Sequence, residues 1–324
     1  MENKKEKIAA VVVTYNRKHL LKECLDALLS QTRPLDSIIV IDNASTDGTP
    51  EFLRENGYLD NSKIDYVRLP ENTGGAGGFY EGVKRGYEKG YDWLWLMDDD
   101  AEPKKDALEM LTRYFNSEEI SALSSLPISV EGKILHHRGE FNNFKNVLSG
   151  MAKKLTYDEL QKDFLETDWV LFLGILLKKD AISKVGFPKK EFFIHYDDLE
   201  YCIRLRKVGK IFLIPKSIII HKEIGRKDIE KVFFGRVIRR RNFKNFFIYY
   251  YNLRNLIWLG KKYSRNRLLF YLTMIKKVIK HILGIILFDD RHKIKRIKLI
   301  LNAMIAGLKE DFDNNKPKEI LYGK

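Results

Sequence analysis

Cysteine is nearly missing from this 324-residue chain: Cys24 and Cys202 are the only two. They lie far apart and in no zinc-binding spacing. That excludes a disulfide framework and a zinc module, and fits a reducing compartment. Long apolar runs are lacking too. No stretch of about 18 uncharged apolar residues is present that would span a bilayer as a helix. The N-terminal "MENKKEKIAAVVV" turns polar too soon after its charged start to read as a secretory signal. There is no P-loop, no GxGxxG fingerprint, no fixed-period repeat and no low-complexity tract. No Ser or Cys stands out as an activated nucleophile. Acidic residues thin out in one region: residues 201–300 hold 27 Lys and Arg against five Asp and Glu, while the first 120 hold 16 against 23.

What is present can fold. Hydrophobic residues make up 44% of the chain and aromatics 12%, enough for a sizeable core in one large or two ordinary domains. The formal net charge is +14. A basic block suits an anionic surface, membrane or nucleic acid, and equally a solvated helical face. Arg267 to Phe288 resembles a membrane span until Lys276, Lys277 and Lys280 are counted; an amphipathic helix on a surface or in a bundle fits better.

The first 100 residues alternate strand and helix. Ile8 to Tyr15, Asp36 to Asn43, Lys63 to Pro70 and Asp92 to Met97 read as strands. Lys18 to Gln31, Ser45 to Asn56 and Phe79 to Gly90 read as helices. Continuous apolar strands joined by helices predict an α/β fold with a mostly parallel sheet covered on both faces. Residues 120–190 give short strand-like runs, "IFLIPKSIIIHK" is a strand run interrupted by Pro215, and from about Lys231 the pattern is helical and basic.

In such sheets ligands sit beyond the carboxyl ends of the strands, and all four ends here are polar. Strand four runs into Asp98, Asp99 and Asp100. Clustered hard oxygen ligands suit Mg²⁺ or Mn²⁺. Side-chain alternation favours Asp98 and Asp100 as the pair that shares a face. A helix cap for the segment that begins "AEPKKDALEM" is the competing reading. "ENTGGAGGFYEG" offers glycine amides to a phosphate, or is a plain strand-to-helix turn. In "EFFIHYDDLEYCIRLRKVGK" a helix begins near Asp198. Asp197 with Glu200 forms a capping-box pattern, which leaves Asp198 free to act as a general base, its pKa lowered by the helix N-terminus. His221 closes "SIIIHK" as a structural residue or a neutral nitrogen ligand. His136 and His137 receive no role. Trp169 reads as core, with a sugar platform as the alternative.

Six ordered motifs carry a resemblance. "VVVTYNR", "IIVIDNASTDGT", "LPENTGGAGGF", "WLMDDDA", "FFIHYDDLEYCIRL" and "IIIHK" resemble the family 2 glycosyltransferases of the GT-A fold, over residues 7–225. The "NTGGAGGF" loop, the triple aspartate and "YYNLRN" look most like the galactofuranosyltransferase branch, with rhamnosyltransferases close. The resemblance implies inverting, metal-dependent transfer of a sugar from a UDP-type donor to a saccharide or lipid-linked saccharide, in bacterial cell-surface glycan synthesis. It implies nucleotide contacts at Thr14, Tyr15, Arg17 and Asp42, and a donor lining of Asn72, Gly74 and Gly75, with Asp99 near the donor sugar. Mn²⁺ or Mg²⁺ would lie on Asp98, Asp100 and His221. Asp198 would be the base, with Asp197 and Trp169 at the acceptor. Tyr250, Arg254 and Asn255 match a motif of no assigned role. The chain lacks the long extensions of polymerising members, which puts processivity in doubt.

The expected organisation is a GT-A domain over 1–225 and a basic helical region over 226–324. The protein is expected in the cytoplasm, held peripherally on the inner membrane face by the basic helices, with no nucleic-acid partner; a homo-oligomer is left open. A dTDP-rhamnose donor is the near alternative. A sugar-1-phosphate nucleotidyltransferase is the distant one, and "VVVTYNRKHLL" lacks its glycine and basic signature.

Overall fold

The computed structural model describes residues 6–135, 138–140, 154–222, 229–233, 236–289 and 291–323; His136 and His137 lie outside them. Ile8–Thr14 is apolar until its last residue and forms the central buried strand β1. There follow α1 (Lys18–Leu29), β2 (Ser37–Asp42), α2 (Thr49–Glu55), β3 (Ile64–Arg68), α3 (Gly74–Glu88) and β4 (Trp93–Asp98). β3, β2, β1 and β4 pair in parallel in that order, as continuous apolar strands joined by helices require.

The next elements are β5 (Ala101–Pro103), α4 (Ala107–Thr112), β6 (Ile120–Ser129), β7 (Arg138–Gly139), α5 (Tyr157–Leu160), β8 (Leu165–Thr167), β9 (Trp169–Val170), β10 (Ile175–Lys178), α6 (Lys179–Val185), α7 (Asp197–Leu205) and β11 (Lys210–His221). The main sheet continues from β4 through β10, β6 and β11 to β5. Because β10 is antiparallel to both β4 and β6, and β6 is parallel to β11, the strands β4, β6 and β11 all point the same way. β11 passes through Pro215, and its pairing with β6 slips between Ile214 and Ile218. Proline removes a ladder donor, and an irregularity absorbs the loss.

Helix α3 starts five residues before the sequence predicts. Glycine disfavours helix, but packing requires it here. A Cβ at Gly78 would come 2.5 Å from Val13 Cγ1, one at Gly82 2.3 Å from Val11 Cγ1, and one at Gly86 2.4 Å from Leu94 Cδ2. Spaced four apart, these glycines form the face that lies on β1 and β4.

The described residues cluster into two compact units. Residues 6–135, 138–140, 154–190 and 197–222 form the first; 191–196 and everything from 229 onward form the second. The second unit opens with an antiparallel hairpin, β12 (Ile229–Phe233) and β13 (Arg236–Arg240), where the sequence predicts helix. Helices α8 (Ile248–Tyr263), α9 (Arg267–Phe288), α10 (Lys293–Lys309) and α11 (Lys316–Tyr322) follow. Among the described residues no helix is long and apolar enough to cross a membrane.

Candidate active site

Along the carboxyl edge of the parallel strands the residues change from apolar to polar. In register, Thr14 of β1 stands beside Asp42 of β2, and Val13 beside Asp98 of β4. A fourth contributor arrives from far along the chain. Antiparallel pairing of β5 with β11 sets His221 opposite Ala101. His221 Nε2 thereby comes to 3.3 Å from Asp100 Oδ1.

Of the two sequence readings of the aspartate triplet, the helix cap fails. Residues Ala101–Pro103 are extended and paired with β11, and the next helix begins only at Ala107. The triplet is instead a buried turn between two strands. Arg17 Nη1 donates to Asp99 Oδ1 at 3.2 Å and to Asp100 Oδ2 at 2.8 Å. Thr14 Oγ1 donates to Asp99 Oδ2 at 2.6 Å.

Burial pushes Asp99 up to about 6, against the pull of Arg17 and Thr14. Burial and the neighbouring Asp100 and Asp99 push Asp98 well above the usual carboxylate range. Burial acts upward on Asp100 as well, but His221 and Arg17 outweigh it and hold that carboxyl below its ordinary value. The result is one secured carboxylate, Asp100, beside two that resist ionisation, which is how neighbouring like charges in a poorly solvated place behave.

The loops after the strands are tied to one another. Asn16 takes the left-handed conformation at φ 55°. Its N–H donates to Ser45 Oγ at 2.9 Å, and its Oδ1 accepts from the Thr46 N–H at 2.6 Å. Tyr15, beside it, is 44% exposed. Asp42 is fully buried; it accepts from the Ser45 N–H at 2.8 Å and from Tyr66 Oη at 2.5 Å. Asn72 Oδ1 accepts from the Gly74 N–H at 2.8 Å. Gly74 sits at φ 74°, and a Cβ at Gly75 would meet nothing within 4 Å. The backbone at Gly75 is thus open to close approach.

Asn43 escaped the sequence reading. Its Oδ1 accepts from the Thr73 N–H at 3.1 Å and from Thr73 Oγ1 at 2.9 Å, while its Nδ2 donates to the Gly74 carbonyl at 2.8 Å. It thus joins the loop after β2 to the start of α3. A lone Asn after a strand reads only as a turn former, so its partners were not legible.

Asp197 and Asp198 open α7, Asp197 buried and Asp198 half-buried. Glu200 accepts from Arg204 Nη2 at 2.7 Å. The expected lowering of Asp198 by the helix N-terminus does not hold. Burial lifts it to about 6 although backbone amides, including Leu199 N–H at 2.6 Å, pull the other way. Burial, then the adjacent Asp198, raises Asp197 as well. Trp169 is buried in β9, as the core reading expects, but its indole N–H meets no acceptor among the described residues.

The donor set fits a divalent cation in chemistry: hard carboxylate oxygens, an imidazole nitrogen and concentrated negative charge. The structure brings Asp100 and His221 together. It does not gather Asp98 with them, since among the described residues no three His, Cys, Asp or Glu groups converge as a ready-made metal site.

Residues 9–176, more than half of the chain, match Glycosyl transferase family 2. The chain belongs to that family. Among the relatives of this family 2 transferase is Galactofuranosyltransferase GlfT1 of Mycolicibacterium smegmatis. It is 31% identical over 211 residues, covering 64% of this chain and 68% of its own length. The dTDP-rhamnosyl transferase RfbF of Shigella flexneri is 25% identical over 307 residues, 93% of this chain and 95% of its own. Among solved structures, GalNAc-T7 with UDP, GalNAc and Mn²⁺ matches at a TM-score of 0.60 and 14% identity. That match covers 97% of this chain, which spans 58% of that one. S. aureus TarS in complex with UDP-GlcNAc matches at 0.57 and 13% identity, over 95% of this chain and 83% of that one. These matches show the fold, that of the GT-A glycosyltransferases. As a family 2 member, the protein is a glycosyltransferase that moves a sugar from a nucleotide sugar.

Proposed function

We propose that this family 2 transferase moves galactofuranose from UDP-galactofuranose, with inversion, to a hydroxyl of a lipid-linked or polysaccharide acceptor in bacterial cell-surface glycan synthesis. The observation that carries the reaction class is the β5–β11 pairing. It sets His221 beside Asp100 on the edge where Thr14, Asp42 and Asp98 also end. Identity near 30% to galactofuranosyltransferases supports the donor. A dTDP-rhamnose donor is the second reading, favoured by a relative that aligns over 93% of this chain, C-terminal region included.

In this reading Thr14, Tyr15 and Arg17 contact the nucleotide, and Asp42 acts from its buried position by fixing the loop that carries Ser45. Asn72, Gly74 and Gly75 line the donor, with Gly75 offering the close approach, and Asp99 lies near the donor sugar. Asp100 and His221, with Asp98, would hold Mn²⁺ or Mg²⁺, which supplies positive charge for a diphosphate leaving group. Asp198 accepts the proton of the acceptor hydroxyl as its oxygen bonds to the anomeric carbon and the bond to the diphosphate breaks. One displacement from the opposite face inverts that carbon. Trp169, with its unpartnered indole N–H, and Asp197 contact the acceptor.

The second unit is proposed to bind an anionic membrane face. Helix α9 buries Phe270, Met274, Val278 and Ile285 and exposes Leu268, Leu272, Ile275, Ile279, Leu283 and Ile286, with Lys276 and Lys280 also exposed. An apolar stripe edged by lysines matches a helix lying in the lipid interface.

The reaction is tested by incubating the protein and Mn²⁺ with UDP- and dTDP-sugars and following nucleoside diphosphate release. Fastest release from UDP-galactofuranose supports the donor; a preference for dTDP-rhamnose replaces it with the second reading.

A further inference from the structure

The segment 191–196 belongs to the second unit, yet its last residue is bonded to Asp197 of the first. Its backbone is unusual. Phe193, His195 and Tyr196 have φ of 63°, 70° and 68°, a left-handed conformation that bulky L-residues rarely take. The Ile194 N–H donates to the Phe192 carbonyl at 2.7 Å, closing a three-residue turn about Phe193. Such a run persists only where its surroundings over-determine it.

Two fully buried side chains of α8 supply the constraint. Asn255 Nδ2 lies 2.9 Å from the Phe192 carbonyl, 3.1 Å from that of Ile194 and 2.9 Å from that of His195. Arg254 Nη2 donates to the carbonyls of Glu191 and Phe192, both at 3.1 Å. Arg254 Nε donates to Asn255 Oδ1 at 2.9 Å, and its Nη1 to Asn314 Oδ1 at 2.9 Å. Each of these acceptors is a neutral oxygen. Burying a guanidinium against neutral groups is costly, and Arg254 is 0% exposed. Gly307 allows the close approach, since a Cβ there would lie 2.7 Å from the Arg254 carbonyl oxygen.

We propose that Arg254 and Asn255 are positioning residues: they hold the left-handed segment 191–196 in the one conformation that delivers Asp197 and Asp198 correctly into α7. The proposal rests on the reading of Asp198 as the base. Both side chains are fully buried, so donor affinity is expected to be independent of them, while misplacing a reacting group by about an ångström costs on the order of a hundredfold in rate.

The test compares Asn255→Ala and Arg254→Lys with the wild-type chain. Amide hydrogen exchange is measured throughout, UDP affinity is measured with Mn²⁺, and turnover is followed with whichever UDP- or dTDP-sugar the wild type hydrolyses fastest. Faster exchange confined to 191–198 is expected, with UDP affinity and donor KM unchanged, kcat down on the order of a hundredfold and the acid limb of its pH profile displaced. Arg254→Lys keeps the charge and provides the milder variant should Asn255→Ala fold poorly. Unaltered exchange at 191–198, or wild-type kcat despite faster exchange, overturns the proposal; so does a joint fall in kcat, UDP affinity and global protection, which a merely structural role predicts. Asp198→Asn, assayed alongside, separates the two claims: full turnover there removes the base assignment, whereas the exchange data judge the clamp.

Discussion

Asp198 shows how far burial can decide the behaviour of a single residue. The sequence places it in the first turn of a helix, where amides lower a carboxylate, yet desolvation wins and lifts it to about 6. Below that value the group is protonated and cannot accept a proton. The acid limb of kcat/KM is therefore expected to rise through about pH 6, rather than near the ordinary aspartate value. A pH–rate profile with a limb near 4, about the unperturbed aspartate pKa, would count against Asp198. Asp198→Asn is expected to lower turnover by about 10²–10⁴-fold while leaving UDP binding intact. At the triplet, Asp100→Ala is expected to weaken UDP binding with Mn²⁺ present and to change little in EDTA; equal weakening in both, by calorimetry, would remove the metal role. The triplet was legible as a candidate site because three carboxylates end a buried strand. His221 was legible only through family resemblance, because its partner is set by a strand pairing between residues 120 positions apart.

Among the elements, the parallel strands β1 to β4 were readable because their apolar runs are unbroken. The start of α3 was not, because glycine's low helix propensity is overridden by its fit against β1 and β4, which is a tertiary fact. Gly82→Ala is accordingly expected to cost about 1–3 kcal/mol by overpacking, seen as a lower Tm. Gly75→Ala, with open space around its Cβ position, should leave Tm unchanged or slightly raised. Equal losses in both variants would contradict the packing account. The hairpin β12–β13 was misread as helix because its basic residues carry no clear period-two signal. The left-handed run before α7 was invisible for a different reason: its residues are not glycines, and the groups that impose it lie in α8.

At the scale of the whole molecule, the basic excess of residues 201–300 includes Lys276 and Lys280, which edge the exposed apolar stripe of α9. Liposome flotation is expected to show binding to anionic vesicles that weakens with salt and in Ile279→Glu. Equal binding to neutral vesicles, or none, would exclude the proposed membrane face. The claim that joins every scale is that this fold cleaves a nucleotide sugar at the sugar–diphosphate bond. Its most direct test is product identification after incubation with Mn²⁺ and the UDP- and dTDP-sugar panel. Release of intact nucleoside diphosphate is expected, falling by about 10²–10⁴-fold in Asp198→Asn. No such release from any donor, with pyrophosphate formed instead from a nucleoside triphosphate and a sugar 1-phosphate, would contradict it.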